Sequence, residues 1–512
     1  MHWLVHFDRS RSLLFVRDDM PGHNSTPFKW SGKTFEMVFL KTNHRPLRRF
    51  STLPRTAGRH SQGLQKITKK YLLISTILVY FYYRENNHLT VRHVTQNGTD
   101  VAEPCQLKNI NPKMKKNLLV LTTTFPKSKD DSTPPYVYEL AKRLVQHFNV
   151  IVLAPFSKES NQNDEWSGVK IIRFKYWFKS NKLVADFGIL PNLKKNKMMW
   201  LQVPFLLLSE FIQILKIKYQ YKINIIHAHW TIPHGFFALC MKKLFRINYL
   251  VTSHGGDSFA LQYLDFLKKK VINNSVQTTV VSKAIKNKFL KIGAYPDKLK
   301  VLPMGVDFKK FSPDQYSQKL KQQYNPAGEI LLFVGRLTDK KGIKYLIMAM
   351  PLIIKEHPRA ILLIIGTGEE KDYLINLSEQ LNLKQHILFL EGINNDKLPQ
   401  YYATADVFIG PSIITSEKDQ EGFGIVFVES LGCHTVTVAT DLPAIKDIII
   451  DNNTGYIVKQ KSELAIANKV NFILNNPDEA TQTAERGYNY VKKHFSWTQI
   501  ANEYTKLLDQ SE

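Results

Sequence analysis

The chain has 512 residues, of which 44% are hydrophobic and 22% charged, so it has room for two or three domains and the composition of a soluble globular protein. Three widely separated cysteines, Cys105, Cys240 and Cys433, argue against a disulfide framework or a zinc site and favour a reducing, cytoplasmic compartment. The formal net charge is +26, yet no zinc-finger, basic-zipper or RNA-binding motif accompanies it, so we expect no nucleic acid as partner but an anionic membrane surface.

Residues 1–113 are predicted to be a poorly ordered basic extension. They hold 18 Lys/Arg against 7 Asp/Glu, and neither helical nor strand periodicity persists. Their one long apolar run, residues 71–83, is shorter than the roughly 20 residues that span a bilayer and lies too far from the start for a signal peptide. An interfacial helix and a short buried strand are both compatible with this run. Met114 directly precedes a strand-like run, so we expect residues 1–113 to be dispensable.

From residue 117 short apolar runs alternate with amphipathic segments. A strand at 118–121, a helix over 138–145 and a strand at 150–153 make a βαβ unit, which requires a parallel sheet with helices on its faces. Further strands are predicted at 169–173, 223–227, 249–252 and 278–281, with a strongly apolar helix over 200–218. We therefore predict one doubly wound α/β domain over residues 114–306.

A second domain of the same kind is predicted over residues 307–495. The polar segment 309–328, with Pro313 and Pro326, is expected to be a linker. Strands are then predicted at 329–334, 360–365, 387–390, 407–409, 435–438 and 455–458, and helices at 343–357, 369–381 and 397–403. The amphipathic end, residues 496–510, is expected to pack back on the first domain. Two such parallel sheets facing each other leave a cleft at the carboxyl ends of their strands, where ligands bind.

Two carboxylates frame a Gly-Phe-Gly turn after the strand at 407–409. Glu421 and Glu429 bound the segment Glu421-Gly-Phe-Gly-Ile-Val-Phe-Val-Glu429, which is predicted to be a loop opening a helix. Free amides at such a start favour a phosphate or sugar oxygen. At the helical rise the carboxylates would be roughly 12 Å apart, farther than the about 5–9.5 Å of a glycosidase pair. That spacing suits the two ends of an elongated polar ligand, although a surface acid and an ordinary helix glutamate would give the same pattern.

Two basic side chains follow the strand at 329–334, in the segment Gly335-Arg336-Leu-Thr-Asp-Lys-Lys341-Gly342. Arg336 offers a bidentate fork and Lys341 a point charge, which suits a diphosphate at a strand-to-helix turn. The alternative is a solvated basic loop. After the next strand, Gly366-Thr-Gly368 would allow the backbone to approach a ligand closely, or would simply form a tight turn.

Histidines supply the candidates in the first domain. His254 ends a strand and precedes Gly255-Gly256, which would place it at the cleft against a reacting sugar; a structural role is the alternative. His227 and His229 alternate on one strand without an apparent third ligand, so they are expected to be structural. No Asp-x-Asp spacing occurs, which removes a common device for holding a nucleotide sugar through a divalent metal.

These segments together resemble the retaining glycosyltransferases of family four, which have the GT-B fold, and the resemblance covers about residues 115–510. In the second half the matching segments are Gly335-Arg-Leu with Lys341-Gly, Glu421-x7-Glu429, Pro303-Met-Gly-Val-Asp307 and Phe495-Ser-Trp497. In the first half they are Thr124-Phe-Pro126, Glu139-Leu-Ala-Lys-Arg-Leu144, Ile226-His-Ala-His-Trp230 and His254-Gly-Gly-Asp257. Each motif is modest, but their combination is highly specific.

The resemblance implies transfer of a hexose-type sugar, with retention at the anomeric carbon, from a UDP- or GDP-linked donor to an acceptor hydroxyl. No cofactor beyond this co-substrate and no metal ion are expected. The acceptor would be a saccharide or a lipid-linked molecule, in cell-surface polysaccharide or glycolipid synthesis at the inner face of the cytoplasmic membrane. Without an evident enzymic nucleophile, the expected step is front-face attack assisted by the leaving phosphate.

Family roles transfer residue by residue onto the matching positions. Arg336 and Lys341 would bind the donor diphosphate beside Gly335 and Gly366, Glu429 the ribose and Glu421 the donor sugar. The remaining donor contacts would be the amides of Phe423 and Gly424, the backbone near Ile393 at the base, and His254 at the transferred sugar. The candidate catalytic residues are thus His254, Glu421, Arg336 and Lys341.

The chain departs from the family pattern at three positions. It has Ser132-Thr-Pro-Pro135 where Gly-Gly is frequent in an acceptor-side loop, Asp441-Leu-Pro-Ala444 in place of Gly-x-Pro-Glu, and His434 where glycine is usual. These departures bear on the class of acceptor and on closure of the cleft, but they remove no residue expected to contact the diphosphate or the ribose.

Two rival functions follow from the same residues. One is a GT-B-like sugar-nucleotide epimerase or phosphorylase, which the family motifs disfavour. The other is a non-catalytic, nucleotide-sugar-binding protein at a membrane, against which the intact set Arg336, Lys341, Glu421 and Glu429 argues.

Overall fold

The structure is a computed structural model that describes residues 115–510, apart from 129–130, 132–134, 179–182, 187, 190–191 and 194–195, together with seven short strands before residue 105. The chain divides into two compact units, Met1–Asn111 and Pro112–Glu512. In the first unit the strands pair antiparallel: Leu4–Phe7 with Leu13–Val16, Pro27–Trp30 with Lys33–Glu36, and Tyr80–Glu85, His88–Val94 and Asp100–Pro104 in one sheet. Of the apolar run 71–83, residues 71–79 lie outside the described residues and the rest belongs to the strand Tyr80–Glu85.

An eight-stranded sheet forms the core of the first α/β domain. Its strands are β1 (Lys116–Leu121), β2 (Phe148–Pro155), β3 (Asn163–Trp166), β4 (Val169–Phe174), β5 (Ile225–His229), β6 (Asn248–Ser253), β7 (Gln277–Val280) and β8 (Leu299–Val301). They lie in the order β3-β4-β2-β1-β5-β6-β7-β8, and all neighbours are parallel except the edge pair β3 and β4.

A six-stranded, wholly parallel sheet forms the core of the second domain. It consists of β9 (Ile330–Val334), β10 (Ile361–Ile365), β11 (Ile387–Leu390), β12 (Val407–Gly410), β13 (Val436–Thr440) and β14 (Tyr456–Val458). Their order is β11-β10-β9-β12-β13-β14. Near-continuous apolar strands such as Ile330–Val334 are buried on both faces because helices cover each side of the sheet. The prediction of two doubly wound parallel-sheet domains is confirmed.

Helices connect the strands and cover both sheets. They are α1 (Tyr136–Leu144), α2 (Gln202–Tyr221), α3 (Phe236–Phe245), α4 (Gly256–Phe259), α5 (Asp265–Asn274), α6 (Lys283–Lys291), α7 (Gln318–Tyr324), α8 (Ile343–Glu356), α9 (Lys371–Gln380), α10 (Leu398–Thr404), α11 (Ile425–Gly432), α12 (Glu463–Asn475), α13 (Pro477–His494) and α14 (Trp497–Asp509). Three apolar clusters result, one on the outer face of each sheet and one that runs continuously through both domains.

The last helix, α14, packs back against the first domain. Its buried Tyr504 brings a hydroxyl to 3.3 Å from the Thr252 hydroxyl and 3.1 Å from the Thr279 hydroxyl, beneath strands β6 and β7. Just before it, Val306 and Ser496 form a parallel bridge, so the two segments that pass between the domains lie side by side.

The structure differs from the predicted elements in three places. Strand β5 runs two residues later than predicted, at Ile225–His229, and so includes both histidines. The predicted linker 309–328 contains the helix α7, whose Ser317 hydroxyl accepts a hydrogen bond from the Leu320 amide. Strands β3 and β8 were not predicted: β3 is polar apart from Trp166, and β8 has only three residues.

Candidate active site

The donor-side candidates converge where the order of the second sheet reverses, between strands β9 and β12. The loop after β9 carries Arg336 and Lys341, and the loop after β12 carries Glu421. Ligands of open parallel sheets bind at such a reversal because the loops from two neighbouring strands turn away from each other and leave a crevice. Sequence-distant residues therefore meet at one edge.

Lys341 and Glu421 form an ion pair at this edge. The Lys341 Nζ lies 2.5 Å from the Glu421 Oε2, and the side chains are only 13% and 16% exposed. Burial acts to raise the pKa of Glu421, but Lys341, Lys340 and Arg336 outweigh it and hold that pKa below its usual value. Glu421 is therefore ionised at neutral pH, and the pair supplies one buried charge of each sign.

Arg336 lies in the same loop as Lys341, and its side chain is exposed. Its guanidinium forms no hydrogen bond or ion pair with another described residue, although its charge acts on both Glu421 and Tyr136. An arginine held near a buried carboxylate but without a partner of its own is free to take a bidentate anion. Burial raises the pKa of Tyr136 to about 12, so its hydroxyl keeps its proton there.

Glu429 lies one turn inside helix α11, whereas Glu421 precedes the helix. The helical rise that gave the expected roughly 12 Å between them therefore does not apply to the whole segment, because only Ile425 onward is helical. Glu429 accepts a hydrogen bond from the Tyr402 hydroxyl at 3.0 Å. Burial raises the pKa of Glu429 to about 7, against the effects of Tyr402 and Lys310.

Helix α11 begins at the predicted Gly-Phe-Gly turn. Gly424 has φ +87° at the helix start, which a side chain would oppose, and an added Cβ would lie 2.6 Å from the Phe427 ring. Phe423 is buried and packs with Phe495, so this residue offers only its backbone to a ligand. The amides at this helix start follow Glu421 closely in the chain.

Across the cleft, His254 follows strand β6 and is enclosed by other rings. Its Nε2 lies 2.8 Å from the Nδ1 of His229, and Tyr136 and Trp230 pack on it with ring centroids 5.0 Å away. Burial lowers the pKa of His254 to about 3, so the ring is neutral and one nitrogen of the His229–His254 contact donates to the other. This contact gives the structural role predicted for His229 a defined partner, because His229 positions His254.

Asp257, the acid nearest to His254 in sequence, is already engaged. Its Oδ2 accepts from the Thr231 amide at 2.6 Å and hydroxyl at 2.7 Å, and its Oδ1 accepts from the Ser253 hydroxyl at 2.8 Å. The side chain is buried. It therefore holds the loop behind His254 and is poorly placed to act as a nucleophile.

The two domains touch where these loops meet. A Cβ at Gly422 would lie 2.7 Å from the Gly255 Cα and 2.7 Å from the His254 carbonyl oxygen. The Ser282 hydroxyl donates to the Gly422 carbonyl at 2.7 Å. Glu421 and His254 thus belong to backbone segments in direct contact, and both candidate halves of the site meet at this contact between the domains.

One glycine predicted to admit a ligand has another explanation. A Cβ at Gly366 would lie 1.9 Å from the Gly335 carbonyl oxygen, so the absent side chain is required by packing between the loops after β9 and β10. Gly392 is exposed with φ +60° and has nothing near its missing side chain, while Ile393 beside it is partly buried against the core. The roles of Gly335, Gly366 and Ile393 toward a donor stay predictions.

The departures from the family pattern have local structural counterparts. His434 adopts φ +64°, the left-handed conformation that glycine tolerates best, and its ring lies 2.8 Å from the exposed Glu485. Residues 132–134 of the acceptor-side loop lie outside the described residues.

Sequence reasoning missed three residues that shape the site: Tyr402 beside Glu429, Tyr136 beside His254, and Ser282 beside Gly422. Their contacts join segments 27, 118 and 140 residues apart, and no local spacing announces such pairs. Within the described residues no group of three or more His, Cys, Asp or Glu is arranged to hold a metal ion.

Family models match both halves of the chain. The model described as Glycosyltransferase Family 4 matches residues 135–310, and the one described as Glycosyl transferases group 1 matches residues 315–490. The second segment contains Arg336, Lys341, Glu421 and Glu429, and the first contains His254.

Similar proteins agree with these models. An uncharacterized glycosyltransferase of Methanocaldococcus jannaschii is 31% identical over 299 residues, which are 55% of this chain and 74% of that protein. A GDP-mannose-dependent α-(1-6)-phosphatidylinositol monomannoside mannosyltransferase of Mycolicibacterium smegmatis is 27% identical over 243 residues, or 47% of this chain and 64% of that protein. Sucrose-phosphate synthase of Thermosynechococcus elongatus shares the fold, with a TM-score of 0.64 at 21% identity over 77% of this chain and 99% of that one. The chain therefore belongs to the family-four glycosyltransferases with the GT-B fold.

Proposed function

We propose that this glycosyltransferase moves a hexose-type sugar from a UDP- or GDP-linked donor to an acceptor hydroxyl, with retention and without a metal ion. The observation that carries the proposal is the buried Lys341–Glu421 pair beside the unpaired Arg336, at the reversal of the second sheet and facing His254. This set offers two cations to a diphosphate and one carboxylate to a sugar in a partly closed crevice.

Lys341 and Glu421 are proposed to part when the donor binds, and each then contacts a different portion of the donor. Lys341 and Arg336 neutralise the charge that develops on the leaving diphosphate, while the amides that start helix α11 add a fixed positive dipole. Glu421, released from Lys341, accepts hydrogen bonds from donor sugar hydroxyls. Glu429, at the end of the same segment, binds the ribose hydroxyls, and the backbone near Ile393 contacts the base.

Retention is proposed to arise by attack of the acceptor on the face that the diphosphate leaves. The engaged oxygens of Asp257 and the ion pair of Glu421 support a reaction without an enzymic nucleophile. Neutral His254 contacts the transferred sugar from the opposite domain, where its Nε2 is held by His229. A leaving phosphate oxygen then takes the proton of the acceptor hydroxyl.

The acceptor is proposed to be a saccharide or a lipid-linked molecule, in the synthesis of a cell-surface polysaccharide or glycolipid. The mannosyltransferase relative named above acts on a phosphatidylinositol monomannoside, which supports a lipid-linked acceptor. The proposed location is the cytoplasmic face of the cytoplasmic membrane.

Donor binding to matched variants tests the assignment. In calorimetry with UDP-, GDP- and ADP-sugars, one series should bind, and Lys341→Ala should weaken that binding about 10- to 100-fold because a charged hydrogen-bond partner is lost. Lys344→Ala is the control, since Lys344 follows in the next helix but pairs with Asp339 at 3.2 Å. Equal affinities of wild type and Lys341→Ala would remove the proposed diphosphate site.

A double variant separates binding from stability. Lys341→Ala leaves the Glu421 charge buried without its partner, which should lower the free energy of unfolding by about 2–4 kcal/mol. Lys341→Ala with Glu421→Gln should recover most of that loss in urea denaturation and still bind donor weakly. Recovery of donor binding in the double variant would contradict the assigned roles.

Product analysis decides between transfer and its rivals. Donor bound without turnover across a panel of lipid and saccharide acceptors would indicate a non-catalytic protein. Turnover that requires inorganic phosphate would indicate a phosphorylase, and interconversion of donors an epimerase. A new glycoside with the donor's anomeric configuration, determined by NMR, is the expected result.

A further inference from the structure

Helix α2 exposes apolar side chains along one face. Leu201, just before the helix, and Phe205, Leu208 and Ile212 within it are 63%, 46%, 59% and 42% exposed. Their spacing of four, three and four residues places them on a single side of a helix. We call these four residues the α2 stripe. A surface helix of a globular domain normally carries polar side chains there.

The opposite face of α2 is fixed in the protein core. Leu206, Ile214 and Ile217 are buried in the cluster that covers the outer face of the first sheet. Glu210 lies on this buried face, 1% exposed, with its Oε1 2.5 Å from the Nδ1 of buried His234. The helix therefore turns its only carboxylate inward and its apolar stripe outward. It has a separate apolar face packed in the core, so the exposed stripe is additional to the core-facing side.

Neighbouring residues extend the exposed apolar surface. Met198 and Trp200, in the 3-10 turn Lys197–Leu201 that leads into the helix, are 74% and 53% exposed. Phe178 is 92% exposed, and Trp177 beside it packs against Phe205 with ring centroids 5.4 Å apart. A contiguous exposed apolar surface of this kind marks an interaction site.

The segment that carries this surface is rich in positive charge. Residues 169–222 contain 11 Lys/Arg against 2 Asp/Glu, and one of the two acids is the buried Glu210. Lys175, Lys197, Lys216 and Lys222 of this segment are exposed. Exposed apolar and aromatic side chains in a lysine-rich segment match the boundary between acyl chains and anionic headgroups.

The core packing of this segment opposes a bilayer-spanning orientation. Lys197–Tyr221 is long and apolar enough to span by length and composition, and 22% of its most apolar stretch is buried inside the protein. Spanning would pull Leu206, Ile214 and Ile217 out of the core and place Glu210 in hydrocarbon, which is energetically costly. The helix is suited to lie in the plane of the interface instead.

We propose that the α2 stripe, with Met198, Trp200 and Phe178, docks on an anionic lipid bilayer, with the apolar side chains entering the headgroup–acyl boundary and the exposed lysines of the same segment contacting anionic headgroups. The proposal depends on this surface alone and not on the donor or acceptor assigned above.

Vesicle binding of the full chain tests the proposal. Co-flotation with phosphatidylglycerol/phosphatidylcholine vesicles is compared between wild type and the triple variant Phe205→Ser, Leu208→Ser, Ile212→Ser. Binding should fall at least 10-fold in the triple variant, and be weaker with phosphatidylcholine alone or in high salt. The matched control is Tyr295→Ser, Tyr373→Ser, Leu464→Ser, at positions 57%, 50% and 57% exposed elsewhere, which should bind as wild type does.

Two further readouts keep the outcome unambiguous. Brominated lipids should quench the fluorescence of Trp200, and Trp200→Phe should reduce the quenching of the protein without disturbing the core; Trp177, which packs against Phe205, accounts for the remainder. Donor affinity measured on the triple variant should equal that of wild type, which separates loss of docking from misfolding or from failure of the donor assignment. Unchanged vesicle binding in the triple variant overturns the proposal, as does a wild-type dimer that dissociates in the triple variant while neither binds vesicles.

Discussion

At Glu429, burial and the Tyr402 hydroxyl act on one carboxyl group in opposite directions. Burial raises its pKa to about 7, while the hydrogen bond from Tyr402 at 3.0 Å and the charge of Lys310 partly oppose the shift. Near neutral pH the group therefore exchanges between two forms, and only the ionised form would accept hydrogen bonds from both hydroxyls of the ribose proposed above. A buried carboxylate whose ionisation lowers the stability of the fold is typical of a binding site.

Glu429→Gln should stabilise the protein at alkaline pH. The folded pKa of about 7 exceeds the ordinary glutamate value of 4.5, so the folded state holds more protons than the unfolded state between these pH values. The contribution of this group is fully present below pH 4.5 and is lost as pH rises through 7. The neutral glutamine escapes that loss, and its free energy of unfolding at pH 8 should exceed that of wild type by about 1–3 kcal/mol.

Urea denaturation at pH 5 and pH 8, with donor calorimetry alongside, checks this. Glu485→Gln is the control, because Asn489 and His434 lower the pKa of that exposed carboxyl and no such gain is expected. A Glu429→Gln protein less stable than wild type at pH 8 would contradict the prediction. Donor affinity should fall in Glu429→Gln and remain unchanged in Glu485→Gln.

Among the elements, the loops that begin helices α4 and α11 decide how closely the domains approach. Gly255, with φ +107°, and Gly422 face each other so tightly that neither position has room for a Cβ. The Ser282 hydroxyl adds a hydrogen bond from the start of helix α6 to Gly422. This contact sets the distance between His254 and Glu421, the two residues proposed to hold the same sugar.

Gly422→Ala should impair transfer more than stability. The new Cβ would lie 2.7 Å from backbone atoms of His254 and Gly255, so the loops must separate, and a displacement near 1 Å can lower the rate about 100-fold. Gly256→Ala is the matched control, since a Cβ there meets nothing within 4 Å. The measurements are kcat/KM for sugar transfer and the midpoint of thermal unfolding. Equal kcat/KM values for the two variants would show that this contact does not control the site.

At the scale of the whole molecule, the apolar clusters formed by the described residues lie within one unit of the chain. These three clusters are built from residues between Leu118 and Leu508, and one of them runs through both domains with residues of helix α14. The return of α14 to strands β6 and β7 joins the end of the chain to the first domain. The unit Pro112–Glu512 therefore contains both halves of the site and the helix that links them.

A chain that begins at Met114 should fold and bind donor as the full chain does. Since no described core residue precedes Leu118, the free energy of unfolding measured in urea should change by less than about 0.5 kcal/mol. A chain that begins at residue 123 is the control, because it also removes β1, which lies between β2 and β5 in the sheet. That control should not fold. Failure of the Met114 chain to fold would show that residues 1–113 contribute to the fold.

The sequence by itself determined the two doubly wound domains, the family and which loops carry charged residues. Buried parallel strands and their helices have strong local periodicity, and the Gly-rich and basic segments fall at strand ends where ligands bind. Only the tertiary structure decided the Lys341–Glu421 pair, the Tyr402 hydroxyl on Glu429, the His229–His254 contact and the outward-facing α2 stripe. Each depends on which distant segments become neighbours, and the apolar run over 200–218 does not itself reveal which of its faces the sheet covers.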